Sequence, residues 1–225
     1  MTRSMRRAMC ARMASFACLL ALLVLGMMAA TPAVAQTLQL TREADVVDAW
    51  PAVTTLADPA NALGAPAALA AGARFARPAT ADASLGMQPG TTWVRIPVAV
   101  ARDATNGWVM QIDFALLDEV DVWVRFPDGL RKIASVGRMQ QQSGDALKGR
   151  VPGAVLRLTP GTAYTVLLRV KTVGPKILPI SFRQPDAVLS AELGEQLMQG
   201  ILLGLRLTLI LYALGQWYAL REPLF

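Results

Sequence analysis

The chain has 225 residues, 54% of them hydrophobic, with 22 basic against 16 acidic residues and a formal net charge of +6. Residues 1–35 hold four of the basic residues and no acid, so the remainder carries only +2, on scattered side chains. This distribution argues against nucleic-acid binding.

Histidine is absent, and Cys10 and Cys18 both lie in the N-terminal segment. The rest of the chain therefore cannot form a Ser-His-Asp triad, a disulfide or a Cys- or His-ligated metal site.

The N-terminal segment has the three parts of a secretory signal. Residues 3–12 are basic, residues 14–30 are apolar, and Ala33 and Ala35 occupy the two positions that signal peptidase recognises. We expect cleavage before Gln36, which removes both cysteines and most of the positive charge. The alternative is an uncleaved anchor helix, but the short apolar run and the A-x-A site favour cleavage.

A second apolar run covers residues 197–220 and contains one charge, Arg206. At about 1.5 Å per residue it is long enough to cross a bilayer core. We expect a transmembrane helix here, preceded by a juxtamembrane linker (186–196) and followed by a cytoplasmic stub (221–225). The domain before it then lies outside the cytoplasm. A buried core helix is the alternative, although 24 residues is long for one.

Polar and small residues in this run predict that it packs against other helices. Gly200 and Gly204 form a G-x-x-x-G pair, which allows close helix approach. Arg206 is costly in lipid unless it reaches the interface or faces a partner helix. We therefore expect further transmembrane helices or a homodimer. The chain contains no other helix of this kind, so it is expected to be a receptor fragment, a truncated reading frame or a stand-alone anchored domain.

Between the two apolar segments the pattern predicts a β-rich domain. Residues 36–90 should form one or two strands and Ala/Pro-rich loops, with a short helix near residues 62–71. Within residues 91–185, six segments alternate apolar and polar residues and are separated by turn signals: 91–100, 107–114, 118–126, 154–159, 164–171 and 177–183. The fold class is therefore mainly β: an antiparallel, jelly-roll-like β-sandwich followed by one transmembrane α-helix.

The same alternation places large polar and aromatic side chains opposite the core face. These residues are Trp93, Arg95, Trp123, Arg125 and Arg169. An indole offers a flat surface to a sugar ring, and a guanidinium offers forked donors to hydroxyls or carboxylates. We predict that the five residues bind a small ligand. The alternative is structural: the tryptophans pack under the Ala-rich segment and the arginines pair with Asp113, Asp118 or Asp121.

Other polar residues give weaker indications. Arg138, Lys148 and Arg150 flank a polar loop (140–149) that is either a ligand-facing lid or, as is commoner, a solvated loop. Asp118 and the acid after it are adjacent on a predicted strand and point to opposite faces, so shared chemistry is not expected. The sequence contains no P-loop, G-x-S-x-G, S-x-x-K or dinucleotide motif. We expect no catalytic residues, no cofactor and no metal.

Several short elements occur in a familiar order and spacing. They are Trp93-Val94-Arg95, Trp108, residues 116–123, Asp128-Gly129, Gly137, Pro160-Gly161, Arg169-Val170 and Leu178-Pro179-Ile180. With them, residues 38–182 resemble the larger extracellular sensor domain of bacterial seven-transmembrane receptors with diverse intracellular signalling modules. Residues 200–224 resemble that family's first membrane helix. The resemblance implies a jelly-roll-like sandwich, a carbohydrate-like or other small ligand, and signalling to a diguanylate cyclase, histidine kinase or similar output.

Three classes of function follow. The first, which the resemblance favours, is the ligand-sensing domain of a receptor in the inner membrane, with the domain in the periplasm or outside the cell. The second is a stand-alone anchored binding or scaffolding protein of the envelope, working alone or as a dimer through Gly200 and Gly204. The third is an envelope enzyme, which no motif supports.

Overall fold

The computed structural model describes residues 36–219. The predicted signal segment with Ala33 and Ala35, and the stub after the helix, lie outside the described residues. The strands are β1 (Leu38–Leu40), β2 (Val46–Asp48), β3 (Thr54–Asp58), β4 (Thr91–Val100), β5 (Gly107–Ile112), β6 (Glu119–Phe126), β7 (Gly129–Val136), β8 (Ser143–Gly144), β9 (Gly153–Arg157), β10 (Ala163–Lys171) and β11 (Ile180–Arg183). The helices are α1 (Ala65–Ala70) and α2 (Pro185–Ala219), with 3-10 turns at Trp50–Ala52 and Gly72–Arg74.

The strands form two sheets. In the first sheet the order is β4-β10-β6-β7-β8, and both β1 and β3 pair with the free edge of β4. The second sheet has the order β2-β11-β5-β9. Every pairing is antiparallel except that of β1, which runs parallel to the last residues of β4. The chain outside the helices is thus the mainly antiparallel arrangement that the alternating segments predict.

Apolar side chains from both sheets meet in one core. Those of the first sheet are the alternate residues of β4, β6 and β10: Val94, Ile96, Val98, Val120, Val122, Val124, Tyr164, Val166, Leu168 and Val170. They face Trp108, Met110 and Phe182 of the second sheet, all of which are fully buried. Period-two alternation therefore identifies the inner faces correctly, and the fold class predicted from the sequence is confirmed.

The connections define two ends of the sandwich. Helix α2 follows β11 directly, and Arg183 at the end of β11 pairs with Val109 near the start of β5. The same end of β5 pairs with Arg157, the last residue of β9, from which a short loop leads to the start of β10. We call this the helix end. Strand β10 finishes at Lys171, at the opposite end of the sandwich, which we call the distal end.

Helix α2 is one unbroken helix of 35 residues. Within it, residues Gln196–Tyr218 are apolar and long enough to cross a membrane, and none of this stretch is buried against the sandwich. A side chain at Gly200 or Gly204 would meet no neighbouring atom within 4 Å. Residues 186–196, predicted as a linker, continue the same helix. The apolar segment is therefore not a core helix, and the transmembrane assignment stands.

Candidate functional site

The five predicted ligand-binding residues all lie on strands β4, β6 and β10 of the first sheet, facing away from the core. In the strand register Trp93 lies opposite Arg169, and Leu167 lies between Arg95 on one side and Trp123 on the other. Arg125 pairs with Thr165, one step closer to the helix end. The outer face of a single sheet therefore carries all five residues, as alternation predicts.

A short Ala-rich helix covers part of this face. Helix α1 places Ala65 and Ala68 against Trp93, in a small apolar cluster with Leu56 and Phe75. Trp93 is consequently only 1% exposed. Its indole is buried in the folded domain and has no free face on which a sugar ring could stack.

Arg95 is held by the segment that follows α1. Its guanidinium lies 4.6 Å from the centre of the Phe75 ring. Its Nη1 donates to the Gly72 carbonyl at 3.2 Å, and its Nε donates to Thr54 Oγ1 at 3.3 Å. Burial lowers the pKa of Arg95 from its ordinary value. These contacts fix the covering segment on the sheet.

The next part of the face is an ionic network around Asp121. The Asp121 carboxylate accepts from Lys132 Nζ at 2.9 Å, Ser135 Oγ at 2.9 Å, Gln140 Nε2 at 3.1 Å and Arg169 Nη1 at 3.3 Å. Burial by itself raises the pKa of Asp121, but hydrogen bonds led by that of Lys132 outweigh it, so the pKa lies below its usual range. Arg169 is thus engaged with a carboxylate of the protein.

Trp123 and Arg125 complete the predicted set. Trp123 is half-buried beside α1, with Lys132 Nζ 5.8 Å from its ring centre. Arg125 is exposed and borders a shallow cavity of about 320 Å³ at the helix end, next to Phe126 and Tyr164. The five side chains share a face but do not converge on one cavity. Their role in ligand binding stays a prediction.

A cleft of about 710 Å³ lies at the distal end of the sandwich. Its volume falls within the range of small-molecule pockets, about 300–1,000 Å³. Three parts of the chain line it: Asn61 with the segment Met87, Gln88, Pro89 and Gly90; the strand ends Glu119 and Lys171; and the loop residues Asp118, Arg138, Met139, Thr172 and Val173. Met87, Met139 and Val173 are exposed.

Asp118 holds two of these loops together beneath the cleft. Its carboxylate accepts from the Val173 backbone N–H at 2.9 Å, from the Thr172 hydroxyl at 3.0 Å and from Arg138 Nη2 at 2.9 Å. The Val173 N–H, followed by the Arg138 guanidinium, holds the pKa of Asp118 below its usual range against the opposing effect of burial. Asp118 is thus an ionised anchor of the cleft.

The segment of residues 83–90, which we call the strap, forms the opposite wall. Lys176, which is fully buried, donates from Nζ to the Gly90 carbonyl and to Thr92 Oγ1, both at 2.8 Å. Its backbone N–H donates to the Gly86 carbonyl and its own carbonyl accepts from Leu85 N–H. Burial lowers the pKa of Lys176. The strap is therefore fixed at both its middle and its end.

Two glycines of the strap provide a matched test of this wall. Gly86 and Gly90 have φ values of +68° and +67°, but only at Gly90 would a Cβ atom collide with backbone, at Asp58 and Pro59. We expect Gly86→Ala to lower the free energy of unfolding by about 1 kcal/mol, the usual penalty of a left-handed residue. Gly90→Ala should lower it by at least about 2 kcal/mol more, since the strap must move. Calorimetric unfolding measures both, and equal losses would contradict the close approach.

The sequence patterns do not predict this cleft. Among its lining residues, the patterns indicate a role in ligand binding for Arg138 and raise shared chemistry for the pair Asp118 and Glu119. Each of these has a structural alternative. The apolar residues Met87, Met139 and Val173 lie in loops that are far apart along the chain. Each of them is an apolar residue inside a polar loop, and this is the feature by which sequence would suggest an exposed binding surface.

Comparison with known proteins agrees with the architecture. The family model described as 7TMR-DISM extracellular 2 matches residues 51–184, which is more than half of the chain. A search of curated proteins found no match. The matched region contains the cleft and nearly all of the sandwich, and the apolar helix follows it. The chain is thus a membrane protein with an extracellular domain, and it belongs to the 7TMR-DISM extracellular 2 family, in agreement with the family resemblance of its short sequence elements.

Proposed function

We propose that this chain is the ligand-sensing part of a receptor in the bacterial inner membrane, with its sandwich in the periplasm and its ligand bound in the distal cleft. The observation that carries the proposal is the cleft itself, a pocket of small-molecule size on an extracellular receptor domain. The chain has no catalytic role in this proposal. Output passes through α2 to further membrane helices and a cytoplasmic diguanylate cyclase, histidine kinase or similar module.

The position of the cleft supports this assignment. It opens at the end of the sandwich farthest from the start of α2, so a ligand can enter from the aqueous side. Its floor is formed by the end of β10 and the loop after it, and that loop leads directly to β11 and so to α2. A ligand that contacts Thr172 or Val173 therefore acts on the segment that precedes the membrane helix by about a dozen residues.

The five outer-face residues enter the proposal in a supporting role. Trp93 and Arg95 attach α1 and the following turn to the sheet, and Arg169 pairs with Asp121. Arg95 and Arg169 are also partly exposed, but the first is bound to Gly72 and Thr54 and the second to Asp121. Trp123 and Arg125 are therefore the two members of the set that are able to contact a ligand without breaking such a bond. Substitution of either residue should leave binding in the distal cleft unchanged if our assignment is right.

A bulky residue at the mouth of the cleft tests the proposal. Val173 is 88% exposed, so Val173→Trp should fold normally while filling the entrance. The full chain, in lipid nanodiscs, would be screened by thermal shift against sugars, amino acids and organic acids, because a ligand that binds the folded state raises the melting temperature. We expect a rise of several degrees for the wild type and at least a tenfold loss of affinity in Val173→Trp.

The matched control is Val46→Trp, which places the same bulk on the exposed edge strand β2. It should bind as the wild type does. If a ligand stabilises wild type and Val173→Trp equally, its binding site lies outside the cleft. The absence of any stabilising compound across the three classes would count against a small-molecule sensor.

A further inference from the structure

The lining of the distal cleft indicates the chemistry of its ligand. We infer that the cleft takes an amphiphile with an aliphatic body and an anionic head, such as a medium-chain carboxylate, rather than a sugar. This inference rests on the proposed function, because it assumes that the cleft is the sensory site. The apolar walls and the distribution of exposed charge support it independently.

The walls suit a flexible aliphatic body. Met87 and Met139 face the cleft from opposite sides with 73% and 72% of their surfaces exposed, and Val173 lies between the loops that carry them. Methionine side chains are flexible and polarisable, and they adapt to apolar ligands of irregular shape. None of the described residues that line the cleft is aromatic. A stacking surface for a sugar ring is therefore missing from this part of the chain.

The charges around the cleft have a net value of zero but unequal exposure. In the pair formed by Arg138 and Asp118, the side chains are 57% and 12% exposed. In the pair formed by Lys171 and Glu119, they are 46% and 33% exposed. The cations are thus more accessible than the acids in both pairs. The Arg138 guanidinium donates to Asp118 through Nη2, and more than half of the Arg138 side chain remains exposed beside the cleft.

An incoming anion would therefore meet guanidinium and ammonium donors before it met a carboxylate. Charge-assisted hydrogen bonds of this kind are about twice as strong as neutral ones, and a guanidinium holds a carboxylate with two parallel bonds. A cationic head would have to displace Arg138 or Lys171 from its acid. The volume of about 710 Å³ lies within the range of small-molecule pockets and accommodates an aliphatic chain. The occupant that fits is a small anionic amphiphile.

Methionine methyl groups allow a direct test. The chain after residue 35 contains four methionines: Met87, Met110, Met139 and Met198. With methyl-labelled methionine and the full chain in lipid nanodiscs, Met87 and Met139 report on the cleft, Met110 on the core and Met198 on the membrane helix. Octanoate, its neutral analogue octanamide, and maltose would be titrated separately. A probe that only partitions into lipid shifts Met198 alone.

We expect octanoate to shift Met87 and Met139 in a saturable manner, and octanamide to bind at least about tenfold more weakly. Arg138→Gln and Lys171→Gln should each weaken octanoate binding about tenfold. Arg157→Gln, at an exposed arginine of the helix end, should leave it unchanged. Equal binding of octanamide, or insensitivity to both cleft substitutions, would overturn the inference.

The outcomes also separate this inference from the proposed function. If maltose shifts Met87 and Met139 and octanoate does not, the ligand class is wrong and the cleft remains the sensory site. If octanoate shifts Met198 alone, it partitions into lipid and the inference fails. If neither these probes nor any compound of the thermal-shift screen acts at the cleft, both fail.

Discussion

Replacing Trp93 with alanine should lower the free energy of unfolding by about 4 kcal/mol, the usual loss for a large buried aromatic side chain. Trp93 is 1% exposed and forms the centre of the apolar cluster under α1. Its removal leaves a cavity in the cluster that also contains Leu167 and Ala68. For a domain of this size the melting temperature should fall by roughly 10 °C. Scanning calorimetry of the full chain in nanodiscs measures both quantities.

The control is Trp123→Ala, the same substitution on the same outer face. Trp123 is only half-buried and packs at the margin of the cluster. We expect it to lose less than half as much stability as Trp93→Ala. Equal losses would contradict the view that α1 covers Trp93 specifically. A loss of less than about 1 kcal/mol for Trp93→Ala would mean that the cluster does not stabilise the domain.

The second large effect is expected at the floor of the cleft. Asp118→Ala removes the acceptor of the Val173 N–H, the Thr172 hydroxyl and the Arg138 guanidinium. Leaving the buried Thr172 hydroxyl without a partner costs about 1–3 kcal/mol, and with the loss of the two part-buried bonds to Val173 and Arg138 we expect a total of about 3 kcal/mol. The control is Asp128→Ala, which breaks an exposed ion pair with Arg131 and should change stability by less than about 0.5 kcal/mol.

The contribution of Asp118 should depend on pH in a defined direction. Its pKa is lower in the folded chain than its ordinary value of about 3.9, since the Val173 N–H and Arg138 favour the carboxylate. A group of this kind stabilises the fold fully above its unfolded-state pKa, and the stabilisation is lost as the pH falls through the folded-state value. The difference between wild type and Asp118→Ala should stay constant from about pH 5 to pH 8 and shrink below about pH 4. A difference that grows on acidification would contradict the assignment.

Alternation of apolar and polar residues predicts the positions of the central strands, but it does not predict a strand where the pairing register shifts. Strand β4 occupies the predicted residues 91–100, and β6 and β10 agree to one residue. Strand β7 was not predicted. The pairing of β6 with β7 shifts register after Val122, so the apolar residues of β7 do not keep period two along their length. A bulge depends on the partner strand, and the sequence of β7 alone does not reveal it.

The candidate site can likewise be predicted where it depends on one strand, and not where it depends on contacts between distant segments. The outer-face position of Trp93 and Arg95 follows from alternation within β4. The structural alternative, in which the tryptophans pack under the Ala-rich segment, anticipates what covers Trp93. The particular contacts of Ala65 and Ala68 do not follow from that segment's composition, which indicates only loops and a short helix. The cleft is harder still to predict, since its walls combine the strap, the loop after β7 and the loop after β10. Only the pairing of strands brings these segments together.

The unbroken helix α2 has a mechanical consequence. At about 1.5 Å per residue its 35 residues extend about 52 Å, and no flexible joint separates the sandwich from the membrane-crossing stretch. The first turn of the helix lies against the sandwich, since Pro185 is next to Gly107 of β5 and Val188 is buried, so we expect a tilt of the domain to move the helix with it. Each residue rotates the helix by about 100° about its axis. The number of residues between Arg183 and Gly200 therefore sets the direction in which the face that carries Gly200 and Gly204 points. The orientation of the sandwich therefore sets the rotation of the membrane helix about its own axis.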